Sequence, residues 1–190
     1  MCGEGMTQMN LRKLNMFVVI LMLLVFLDHA IFGSIRMAGG NANVVKTEAW
    51  IGVGLVVVHV IITSIMGAET LKARRLSGVG YFKDNALFWT RRISGFVILI
   101  PLVMHLMIFT PANSDVYRLQ VFTTGRLISQ IFLVAALALH ILTNVKPALI
   151  TLGVRKDTKA FQIDLILVLS IMLLLFGIAF VIYYLRWMAM

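Results

Sequence analysis

The sequence predicts an all-α integral membrane protein of five transmembrane helices, and three observations carry that prediction. The 190 residues are 61% hydrophobic, with a mean hydropathy of +0.96, well above the roughly half-apolar composition of soluble domains. Five runs are long and apolar enough to cross a bilayer core, which takes about 20 residues of helix. The basic residues alternate between rich and poor connections, as they do when loops are sorted across a membrane.

The chain reads as one membrane domain over residues 1–190. Residues 1–13 are polar and end in Arg12-Lys13, and the first span runs over about 14–35 and carries Asp28-His29. The first apolar run is too long for a signal peptide and lacks a small-residue cleavage site, so no cleavable signal is expected. A Gly/Asn loop leads to the second span, about 47–67, with His59. A basic loop follows with Lys72, Arg74, Arg75, Lys83, Arg91 and Arg92. The third span, about 93–110, has no charged residue and holds His105 near its far end. A polar loop from Pro111 to Gly125 precedes the fourth span, about 127–145, with His140. Lys146-Pro147 and a second basic loop, with Arg155, Lys156 and Lys159, lead to the fifth span, about 161–185, which has no histidine.

The N-terminus and the two basic loops hold twelve of the seventeen Lys/Arg residues, and Arg36, Lys46, Arg118, Arg126 and Arg186 lie on the other side. The positive-inside rule then puts the N-terminus in the cytoplasm; the membrane expected is a bacterial-type inner membrane. Trp50, Tyr183, Tyr184 and Trp187 are expected at the outer interface and Trp89 at the inner one. The net charge of +9 reads as loop charge that sets topology, not as a nucleic-acid surface. Cys2 is the only cysteine, which excludes an intrachain disulfide, a cysteine-ligated cluster and a C-x-x-C-H haem attachment.

Each of the first four spans carries one histidine, and the chain has no other. An imidazole inside a bilayer is costly unless something satisfies it, so four of them form a functional-site hypothesis. Counted from the outer loops at 1.5 Å per residue, His29 and His105 lie roughly 10 Å deep and His59 and His140 roughly 20 Å. They form two levels with one pair each, I with III and II with IV. In an up-down bundle of the first four helices these are diagonals of roughly 12–14 Å between axes, wide enough for a flat macrocycle. Two haems b, each held by two histidines and about 10 Å apart along the membrane normal, would use all four. Each ligating imidazole needs a partner for its other nitrogen, for which backbone carbonyls one turn earlier or Ser and Thr side chains are the expected source. Gly95 and Gly54 thin the helices that do not ligate at the inner and outer levels, and are read as haem clearance. Pro101 frees the carbonyl of Val97. Zinc transport is a poorer fit, because no acidic cluster joins the histidines. Asp28 is the one carboxylate deep in a span.

Arg92-x-Ser94-Gly95 followed by His105, His105-Leu106 leading to Thr110-Pro111, and Leu137-Ala138-Leu139-His140 ending the fourth helix's core are similar to motifs of one family. Over about residues 12–153 the chain resembles the di-haem cytochrome b subunit of succinate:quinone oxidoreductases, which include the quinol:fumarate reductases. The resemblance implies His29 and His105 as ligands of the distal haem iron, and His59 and His140 as ligands of the proximal one. It implies a flavoprotein subunit and an iron–sulfur subunit as partners at the cytoplasmic face, and a quinone (menaquinone or ubiquinone) as substrate in the membrane lipid. This chain would catalyse no dicarboxylate chemistry itself. Propionates would be met by Arg92 and Lys146 on the inner side and Arg36 and Arg126 on the outer. A quinone site is expected near a haem edge, with Glu48 as the outer candidate and Ser94 with Arg92 as the inner. Some members carry a glutamate two residues before the fourth-helix histidine as a proton relay; here that position is Ala138. Two other readings remain open: a cytochrome b anchor of a hydrogenase or formate dehydrogenase, and a haem-free transporter or membrane assembly protein.

Overall fold

The computed structural model describes residues 2–42, 46–77, 86–109, 121–153 and 159–190. Lys83, Thr110, Pro111, Arg118, Arg155 and Lys156 lie outside the described residues. Five α-helices follow one another: α1 Cys2–Ala38, α2 Lys46–Ser77, α3 Ala86–Phe109, α4 Thr124–Thr151 and α5 Lys159–Met188. All five are long and apolar enough to cross a membrane. Large apolar side chains such as Phe17, Leu24, Ile100, Met107 and Leu174 point outward on every helix, which suits lipid and not water. The chain is a multi-pass membrane protein.

The helices are longer than the apolar runs that foretold them. α1 begins at Cys2, α2 continues to Ser77 and α3 already contains Arg91 and Arg92, so much of the expected basic loop is helix. Lys146 and Pro147 lie within α4, which runs on to Thr151. A helix satisfies its own backbone, so the ladder continues past the hydrocarbon edge until a stop signal intervenes. α1 stops at Gly39, whose φ of +102° suits glycine; Gly39 donates to the Arg36 carbonyl at 3.0 Å and Gly40 to the Ile35 carbonyl at 2.9 Å. α4 starts at Thr123, whose hydroxyl accepts from the Arg126 backbone N–H.

α1 packs on α2, α3 on α4, and α5 on both α1 and α4. Contact between α1 and α4 is slight, and α2 and α3 make no extended backbone contact among the described residues. The first four helices are therefore two hairpins, and α5 joins them along one side. Gly52 brings α2 close to α1: a Cβ there would lie 3.3 Å from Val25 Cγ1. Phe26 on α1 meets Phe176 on α5 edge to face at 6.0 Å. Further along α5, Phe180 and Tyr183 pack with Ile108 and Phe122 in one buried cluster. Tyr183 is wholly buried there, with its ring edge-on against Phe122 at 5.0 Å. Tyr184, its neighbour, instead reaches Thr124 Oγ1 at 3.0 Å.

Candidate functional site: two imidazole pairs between the hairpins

The four histidines meet in two pairs, each spanning the two hairpins. His29 on α1 and His105 on α3 have ring centroids 6.1 Å apart, at an interplanar angle of 78°. His59 on α2 and His140 on α4 have centroids 6.3 Å apart, at 80°. All four rings are half-buried. Gly95 touches His140, and His105 lies ten residues further along α3, so the two levels are about 15 Å apart along that helix. That is wider than the roughly 10 Å expected from counting inward from the outer loops.

Three of the four rings are anchored through Nδ1. His105 Nδ1 lies 2.8 Å from Gln130 Oε1, and His59 Nδ1 lies 3.0 Å from Asn15 Oδ1. His140 Nδ1 lies 3.0 Å from the Arg91 carbonyl and 3.2 Å from Ser94 Oγ. A carbonyl or amide oxygen only accepts, so each of these nitrogens carries its proton and leaves Nε2 with a lone pair. His29 Nδ1 is buried without a hydrogen-bond partner among the described residues. The expected carbonyls one turn earlier do not serve. Three of the rings find acceptors on the adjacent helix instead, and at His140 one of these is the expected kind of serine hydroxyl, Ser94 Oγ.

The spacing tests what such a pair can hold. With metal–nitrogen bonds of about 2.0 Å and a ring nitrogen about 1.1 Å from its centroid, two imidazoles on opposite sides of one metal ion have centroids about 6.2 Å apart. Both pairs have that separation. Among the described residues no three of His, Cys, Asp and Glu converge on one point. A closed tetrahedral zinc site needs four protein ligands and a catalytic one three, more than the two imidazoles of either pair.

The other sequence-predicted residues separate into those at the pairs and those remote from them. Gly95 lies against the His140 ring: a Cβ would sit 3.1 Å from Cε1. Gly54 faces open space. Ser94 is buried, donating to the Arg91 carbonyl while contacting His140. Arg92 crosses from α3 to α2, donating Nη1 to the Thr63 carbonyl at 3.0 Å, with its guanidinium 4.3 Å from the Phe88 ring centroid. Glycine at position 67 makes room for that guanidinium. Lys146 is exposed. Arg36 donates to the Ala42 carbonyl at 2.9 Å, and Arg126 to the Val121 carbonyl. Glu48, in the first turn of α2, lies beside Asp28, which precedes His29.

Sequence reasoning missed Asn15, Gln130, Gly67 and the carbonyl of Arg91. A lone amide inside an apolar run was the available signal for the first two. It also missed the rings that enclose His105: Phe109 at 5.0 Å and Phe180 at 6.2 Å between centroids.

Compared with known proteins, the chain matches no family model, and no curated protein or solved structure is significantly similar to it.

Proposed function

We propose that this chain is a membrane cytochrome b that holds two haems b, one between His29 and His105 and one between His59 and His140. In this reading it carries electrons between a membrane quinone pool and the cytoplasmic flavoprotein and iron–sulfur subunits of a succinate dehydrogenase or fumarate reductase. The observation that carries the haem reading is the pair of centroid separations, 6.1 and 6.3 Å, with Nδ1 tied back in three of four rings.

Haem iron held by these histidines would supply one-electron transfer. The chain's own residues then have defined tasks. The four imidazoles hold and orient, and Gln130, Asn15 and Arg91 fix their tautomers. Phe109, Phe180 and Tyr183 exclude water from the His29–His105 level. Arg92 keeps a cation near the His59–His140 level, where a propionate needs one. The Asp28–Glu48 pair supports a quinone site beside His29, with Glu48 holding or releasing a proton. Assignment of the partners rests on the resemblance carried by Arg92, Ser94, Gly95 and His105. The orientation, N-terminus inside, rests on the distribution of Lys and Arg.

A dithionite-reduced minus air-oxidised spectrum of the purified chain, with haem quantified per polypeptide, tests the reading. Two b-type haems per chain are expected. A chain expressed with ample haem that shows no Soret or α band overturns it. Purification through a tag on this chain tests the partners: a flavin subunit and an iron–sulfur subunit are expected, and a nickel or molybdenum subunit in their place overturns that assignment.

A further inference from the structure

We infer that Asn15 and Gln130 are the positioning residues of the two imidazole pairs, each amide oxygen holding one histidine per pair in the Nδ1–H form with Nε2 directed at the opposite ring. The inference rests on the cytochrome reading above and adds residues that reading does not require.

Gln130 is wholly buried inside an apolar helix. A primary amide there is costly unless both of its ends are bonded. Both are. The chain of bonds also has only one consistent direction. The Arg126 carbonyl can only accept, so the Ser129 hydroxyl, 2.7 Å away, donates to it. Ser129 Oγ then accepts from Gln130 Nε2 at 3.0 Å. That turns Gln130 Oε1 toward His105 Nδ1, which must supply the proton. The tautomer of His105 is thus dictated from a backbone carbonyl through two side chains.

Asn15 repeats the device at the other level. Its Oδ1 faces His59 Nδ1 from the neighbouring helix. In both cases the amide comes from the other helix of the histidine's own hairpin: α1 for α2, and α4 for α3. Each hairpin therefore sets one of its own ligands before the opposite hairpin is engaged. A neutral amide polarises the imidazole N–H less than a carboxylate would, and keeps the ligand a neutral imidazole.

The test uses the full-length chain with its haems. The midpoint potential of each haem is followed in an optical redox titration, and each haem's low-spin signal by electron paramagnetic resonance. Gln130→Leu removes the acceptor at similar volume. It should shift the potential and signal of the component that His105→Ala eliminates, or lose that haem, and leave the other component unmoved. Asn15→Leu should do the same to the component that His59→Ala eliminates. Gln130→Glu keeps an acceptor oxygen. It should retain both haems and lower the potential of the same component, because an anionic acceptor strengthens electron donation from the ligand.

Leucine variants that retain both haems with unchanged potentials and signals overturn the inference while leaving the cytochrome reading intact. So do variants that shift both components together, or each the wrong one. If Gln130→Leu fails to fold, Gln130→Glu decides: an unmoved component overturns the inference. A wild-type chain without haem absorbance overturns the cytochrome reading itself, and the inference with it.

Discussion

Gly95 and His140 lie in contact across α3 and α4, so close that any side chain at position 95 would begin 3.1 Å from the imidazole Cε1. The glycine admits the ring as well as thinning the helix. Contacts that tight force a neighbour to give by a few tenths of an ångström. His140, tied to the Arg91 carbonyl and Ser94, has little room to do so.

Gly95→Leu should therefore displace His140 and remove one haem of two, with the His29–His105 level kept. Haem content per chain should fall by about half, with one set of spectral features surviving. Gly95→Ala should keep both haems and alter the signal of the same component.

The pairing across hairpins makes a separate prediction. His105→Ala and His29→Ala should delete one common spectral component, and His59→Ala and His140→Ala the other. Loss of the same component from His105→Ala and His59→Ala would refute the two-level arrangement.

Arg92, Thr63 and Gly67 form one connection between α3 and α2. A methyl at position 67 would collide with the Arg92 guanidinium, the far end of a flexible side chain that can swing aside. Gly67→Ala should thus fold, at the loss of the hydrogen bond from Arg92 to Thr63. A bond from a charged donor contributes about 1.5–3 kcal/mol, and Arg92→Ala should cost roughly that much. The two substitutions should be non-additive in a double-mutant cycle on unfolding in detergent, because each removes the same bond. Additive effects would place the stabilisation elsewhere.

Glu48→Gln leaves a side chain able to hydrogen-bond with Asp28 while removing one acid. In the assembled complex it should slow quinone turnover by ten-fold or more, as losing a positioned general base typically does, with both haems retained and reduced normally by an artificial donor. Unchanged quinone kinetics would place the site elsewhere, with the inner side near Arg92 next to be tried.

The spans were legible because a bilayer forces long apolar runs, and the histidines stood out because their burial in such runs is costly. The pairing was legible from depth alone, since rise per residue is fixed. The helix ends were not: Arg91, Arg92 and Lys146 are as much at home in a last helical turn as in a loop. The partners of the rings were hidden for a different reason. Asn15 and Gln130 lie 44 and 25 positions from the histidines they hold, and only helix packing sets which face each presents. The fifth helix has no histidine and signalled nothing. Its Phe176, Phe180 and Tyr183 acquire meaning only once α1 and α4 are seen on either side.

The weak seam between α2 and α3 bears on how such a chain is made and discarded. Within each hairpin one histidine is anchored by an amide of its own neighbouring helix, whereas Arg92 bonds across to Thr63 of the other hairpin. Joining them on that side falls to Arg92 and to whatever the histidines share. A chain short of iron porphyrin would sit in the membrane with a polar seam turned to lipid, which is what a membrane protease engages. Cellular abundance of this protein should then follow porphyrin supply even when its messenger is constant, and a shortage should be visible first as cleavage within α2 or α3.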